Sequence, residues 1–162
     1  MGTLVVQKTA PAPLKSKLVA WLPTVGWLVA IAFFSTDTFS AEHTGRILEK
    51  IINAIYGQIS PAHFQMIHVI VRKGAHFSVY GLLSLFAFYS WRLTLPRPAR
   101  WTFTWSLLAL LLTLFAAGSD EFHQVFVASR GPSLNDVLLD MMGAIFVQLL
   151  LASFTRLRPA AD

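Results

Sequence analysis

Three long apolar runs constrain this chain before any other feature does: Leu18–Ser35, Trp101–Ser119 and Leu134–Phe154. At 1.5 Å per residue, Leu18–Ser35 reaches about 27 Å as a helix, against a hydrocarbon core of roughly 30 Å. Only 13% of the 162 residues are charged and 55% are hydrophobic, where a soluble domain carries roughly 25% charged residues. Lipid is therefore the solvent for much of the chain. Lysines precede the first run as in a signal peptide, but the run is long and no convincing A-x-A cleavage site follows, so it reads as an anchor. The chain has no cysteine, which excludes disulfides and thiol chemistry. The net charge of +5 comes from basic residues scattered between apolar runs. They serve topology, and no nucleic-acid partner is expected.

Around these runs the chain divides simply. Residues 1–17 form a polar tail with Lys8, Lys15 and Lys17. Between Asp37 and Ser60, the residues Ile47, Leu48, Ile51, Ile52, Ile55 and Tyr56 recur at helical spacing among Arg46, Glu49, Lys50 and Asn53. That pattern predicts an amphipathic helix lying at the membrane interface. Ser60-Pro61 reads as an N-cap followed by proline at the first helical position, with a helical pattern continuing to Arg92. Such a helix is too long for the hydrocarbon core alone, so its first turns lie at the surface and its spanning part begins near Gly74. Arg92–Arg100 is a basic loop broken by prolines. The expected fold is all-α: a four-helix transmembrane bundle, with spans at about 18–35, 74–92, 101–119 and 134–154, and an additional amphipathic interfacial helix on the outer side.

Charge distribution orients this bundle. With both termini cytoplasmic, the inner segments hold Lys8, Lys15, Lys17, Arg92, Arg97, Arg100, Arg156 and Arg158 against one acid, Asp162. The outer segments hold Arg46, Lys50, Arg72, Lys73 and Arg130, together with the other seven acids and all five histidines. Lysine and arginine favour the cytoplasmic side. The chain is thus expected to cross the cell membrane several times, with both termini inside and the polar residues at the outer face.

The polar residues concentrate in two places. Gly118–Gly143 carries Asp120, Glu121, His123, Gln124, Arg130, Ser133, Asp136 and Asp140 between two apolar runs. The outer turns of the second span carry Lys73, His76 and Tyr80, with His76 four residues from both Arg72 and Tyr80 on one helix face. Three helix ends therefore converge. Asp140 falls about 10 Å inside its helix start. A charge in that position is costly, so it must face the bundle and find a partner.

Two of these segments, KGAHFSVYGLLSL (Lys73–Leu85) and SDEFHQVFVASRGPSLNDVLLDMMGA (Ser119–Ala144), resemble the VanZ-like family of bacterial membrane proteins. The resemblance makes residues 18–158 one transmembrane domain. It marks Lys73, His76, Phe77, Tyr80, Ser119, Asp120, Glu121, His123, Gln124, Arg130, Ser133, Asp136, Asp140 and Gly143 as matching the family pattern. Ala128-Ser129 departs from it, since the family usually has Pro-Gly before the arginine. The resemblance also implies an association with teicoplanin resistance, without naming a reaction.

Read as chemistry, the set leaves alternatives open. His76, Glu121, His123 and Asp136 are the candidates for general acid/base work, a histidine being tuned by a neighbouring carboxylate. Lys73, Tyr80, Asp120, Gln124, Arg130 and Asp140 are the candidates for holding a ligand, with Arg130 before a helix start suited to an anion. His76, Glu121, His123 and Asp140 include metal-ligating types, but no H-x-x-x-H or H-E-x-x-H spacing supports them and no metal site is assigned. Ser133 with Asp136 reads as a variant capping box rather than a nucleophile. An enzyme fits this set. So does a binding or partner-docking module whose charge cluster is structural. In both cases the expected partners are the bilayer and an anionic, lipid-linked or cell-wall-related envelope molecule.

Overall fold

A computed structural model describes residues 13–36, 40–95, 101–126 and 133–157. The described residues form five helices and no strand: α1 (Leu14–Phe34), α2 (Ala41–Tyr56), α3 (Pro61–Thr94), α4 (Phe103–Gln124) and α5 (Leu134–Leu157). Local chemistry sets several of their ends. Ser40, Ser60 and Thr102 each stand at an N-cap and accept a hydrogen bond from the backbone N–H three residues on. Pro61 occupies the first turn of α3, where a missing N–H costs nothing. Gly57 closes α2 with φ of 76°, a conformation that disfavours a side chain. α1 begins at Leu14, so Lys15 and Lys17 of the expected tail lie in its first turn, Lys15 exposed and Lys17 half-buried.

Three helical stretches, Leu14–Phe34, Phe103–Gln124 and Leu134–Thr155, are long and apolar enough to cross a membrane. α3, the expected second span, is not among them. Its position explains why. α3 packs against α1, α4 and α5 and touches α2, and its buried residues include Gly81, Ser84, Ala87 and Ser90. Small and hydroxylated side chains let neighbouring helices approach and lower the helix's apolar average.

The polar contacts give the directions. Ser90 bonds Thr24 at 2.8 Å, and Trp27 Nε1 donates to the Val79 carbonyl at 2.9 Å, so α1 runs opposite to α3. Phe88 packs edge-on against Trp105, 6.0 Å between centroids, and Tyr80 stands beside Asp120, so α4 does too. His76 with Asp140 and Ser84 with Gln148 share one sequence offset, which makes α5 parallel to α3. The C-terminal ends of α1 and α4 and the first turns of α5 thus meet at one end, around the middle of the long α3. Below them lie two apolar clusters, one around Ile31, Tyr80, Leu83 and Ala117, the other around Ala87, Phe88, Trp105 and Ala109.

Candidate functional site

The site is built on the crossing of α3 and α5. Gly143 faces the backbone of α3, and a Cβ there would lie 2.9 Å from the Phe77 carbonyl carbon and closer still to its oxygen. A Cβ on Gly81 would meet Gly143 O and Val147 at 3.2 Å. Two facing glycines let the backbones touch. That contact fixes the register and brings His76 and Asp140 together: His76 Nδ1 lies 3.1 Å from Asp140 Oδ1. Asp140 is fully buried, and its Oδ2 has no hydrogen bond among the described residues. The partner that its depth demands is thus a histidine on a neighbouring helix. With Nδ1 engaged, the imidazole keeps a fixed orientation, which leaves Nε2 as its other hydrogen-bonding atom.

The end of α4 supplies the next layer. Gln124 donates to Asp120 at 3.1 Å, one turn away on the same helix. Tyr80 is 2% exposed, and its hydroxyl stands beside Asp120. Glu121 is also buried, and its Oε2 accepts the backbone N–H of Ser133 at 2.7 Å. The Ser133 carbonyl accepts from the N–H groups of Asp136 and Val137, which places Ser133 at the start of α5. The expected capping box is therefore altered: the bond that Asp136 would return to Ser133 is made by Glu121 from another helix. A carboxylate at a helix N-terminus is favoured by the orphan N–H groups and the dipole. Asp136 lies close enough to His76, Glu121 and Asp140 to act on each electrostatically.

A cavity of about 310 Å³ opens beside this network. Ile31, Phe34 and Ser35 of α1, Thr44 and Leu48 of α2, residues His68 to Tyr80 along one face of α3, and Asp120 of α4 line it. Most of its wall is apolar, and the polar groups that reach it are His68, Arg72, His76, Tyr80 and Asp120, with Ser35 and Thr44. A pocket of this kind, apolar with a few converging polar groups, suits an amphiphile better than a free ion.

The match of the VanZ/LLP1 family model runs over residues 20–155. The chain belongs to the VanZ/LLP1 family. No curated protein and no solved structure matches it. The matched region contains the whole network and every residue that lines the cavity.

Set against the residues singled out from sequence, the geometry of this VanZ/LLP1 chain divides them. His76, Tyr80, Asp120, Glu121, Gln124, Asp136 and Asp140 lie in one cluster, joined by bonded pairs and by proximity. His123 is exposed and points to α1, with Nδ1 3.4 Å from Ser35 Oγ. Lys73 is exposed and makes no ion pair among the described residues. Arg130 lies outside the described residues. Among those residues no three His, Asp or Glu side chains group as metal ligands.

Two basic cavity residues went unassigned in the sequence reading, His68 and Arg72. Their signal was present: His68, Arg72, His76 and Tyr80 recur every fourth residue and so share one face of α3. A lone histidine in the first turns of a long helix reads as surface until α2 is seen to cover it. Gly45 of α2 packs on the His68 ring, to which a Cβ at that position would lie 3.3 Å away.

Proposed function

We propose that this VanZ/LLP1 protein is a cytoplasmic-membrane protein that holds a lipid-linked envelope molecule by its anionic group, in a cavity opening to the outer leaflet. α3 serves as the fourth span, its inner faces covered by α1, α4 and α5. α2 lies at the outer interface, with the exposed stripe Ile47, Ile51 and Ile55 against lipid. The basic flanks favour cytoplasmic termini.

The observation that carries this reading is the cavity itself, which joins an apolar wall to Arg72, His76, Tyr80 and Asp120. The test is native mass spectrometry of the protein extracted in mild detergent. Wild type should release a co-purifying lipid-linked anion. Ala75→Phe, which fills the cavity from an exposed lining position, should lose it while the protein still inserts and folds. Equal retention by both proteins would sink the reading. The resistance association supplies a cellular readout: expression should lower sensitivity to teicoplanin, and Ala75→Phe should abolish the effect.

One observation favours a second, catalytic reading. His76 lines the cavity with its Nδ1 held by a buried carboxylate, the arrangement of a positioned general base. Glu121 is engaged as a helix cap and His123 bonds toward α1, so neither shares that arrangement. If His76 transfers protons, His76→Gln should leave ligand retention intact and lower turnover by roughly 10²–10⁴-fold. A binding role predicts graded loss of retention instead.

A further inference from the structure

The cavity carries two opposite charges that do not meet. Arg72 lines it from α3, yet it makes no ion pair among the described residues. Asp120 lines it from α4 and pairs with no cation there; the Gln124 amide donates to it, and Tyr80 stands beside it. His68 is one turn from Arg72 on the same face, and its Nε2 is buried without a hydrogen bond. The basic end and the carboxylate end are displaced along α3 by the two turns from Arg72 to Tyr80, about 12 Å between Cα levels, which the long arginine side chain shortens. Val71, Ala75 and Val79 line the cavity along the same stretch of α3, and Ile31 and Phe34 line it from α1.

A simple anion in this space would be drawn by Arg72 and repelled by Asp120. A simple cation would meet the reverse. Poorly solvated charges need partners, and one ligand bearing both signs supplies both. We infer that the cavity takes a zwitterionic amphiphile: a phosphate ester held by Arg72 with His68, a protonated primary amine held by Asp120, and the alkyl part against the apolar wall. The amine is primary because the Asp120 carboxylate that lines the cavity accepts hydrogen bonds, and a quaternary ammonium has no N–H to give it. The inference rests on the reading that the cavity holds a lipid-linked anion, and it specifies what accompanies that anion.

The test uses full-length protein, delipidated in a neutral maltoside detergent and melted while tryptophan fluorescence is followed. The probes are phosphatidylethanolamine, phosphatidylcholine and phosphatidylglycerol of identical acyl chains, and O-phosphoethanolamine, which has the head group without the chains. Phosphatidylethanolamine should bind tenfold or more tighter than the other two lipids, about the value of one hydrogen bond between charged groups. O-phosphoethanolamine should stabilise little. Asp120→Asn should remove the preference for phosphatidylethanolamine, and Arg72→Gln should weaken all three lipids. Competition between phosphatidylethanolamine and phosphatidylglycerol on wild type decides the point even where a variant does not fold. Phosphatidylglycerol or phosphatidylcholine binding as tightly as phosphatidylethanolamine would overturn the inference and leave the lipid-anion reading standing. Stabilisation by none of the lipids would overturn both. O-phosphoethanolamine matching the lipid would overturn the lipid as its source.

Discussion

Replacing His76 by alanine isolates the most exposed liability of this fold, the buried carboxylate of Asp140. Asp140 has no solvent exposure, one oxygen 3.1 Å from His76 Nδ1 and the other without a hydrogen bond among the described residues. His76→Ala therefore leaves a buried carboxyl group with no side-chain partner among the described residues. Breaking a buried pair from one side costs about 3–5 kcal/mol, because the other charge stays behind uncompensated. A hydrogen bond between uncharged groups inside a membrane protein is worth far less, ~0.6 kcal/mol on average and up to ~1.7. The two cases separate cleanly in a double-mutant cycle. His76→Ala, Asp140→Ala and the double variant would be unfolded reversibly by SDS in mixed micelles, with the five tryptophans as the fluorescent probe. The double variant removes the stranded carboxylate, so the two single costs should exceed the double cost by about 2 kcal/mol or more. A coupling below roughly 0.5 kcal/mol, the range of independent sites, would refute the claim that His76 is the partner on which Asp140 depends.

Two further changes probe the frame around that pair. Gly143→Ala forces a methyl group into the Phe77 carbonyl and should destabilise by about 1–3 kcal/mol, the usual cost of overpacking. Gly118→Ala meets nothing within 4 Å and should stabilise by up to about 1 kcal/mol through helix propensity; equal effects in the same SDS titration would contradict the close α3–α5 approach. Glu121→Ala removes the acceptor for the Ser133 N–H and should cost about 1–2 kcal/mol, as loss of a cap does. Hydrogen exchange at the Asp136 and Val137 amides, which bond the Ser133 carbonyl, should then quicken about tenfold. Unchanged exchange would show that α5 begins without Glu121.

Much of this is legible in the sequence. Runs of apolar residues long enough for a bilayer specify helices wherever they occur, because the backbone must satisfy its own hydrogen bonds there. Ser60-Pro61 announced the start of α3, and the periodicity from Ile47 to Tyr56 announced α2. The depth of Asp140 could be read from its distance into α5. The same reasoning implied that it has a partner, since an unpaired charge there is too costly.

The identity of that partner was not legible. No residue was singled out as the partner of Asp140, and the choice of His76 depends on the register of α3 against α5, which Gly81 and Gly143 set by letting two backbones touch. Glu121 capping α5 has the same origin, since it needs α4 to end beside the first turn of α5. α2 illustrates the division most simply. Its sequence determines an amphipathic helix, but packing against α3 decides that Leu48 lines the cavity and Ile52 is buried while Ile47, Ile51 and Ile55 stay exposed. Local periodicity is a property of neighbours in the chain, so the sequence by itself determined the helices and the end of the molecule that carries the polar residues. Which side chain meets which depends on contacts between residues far apart in the chain, and only the tertiary structure decided those.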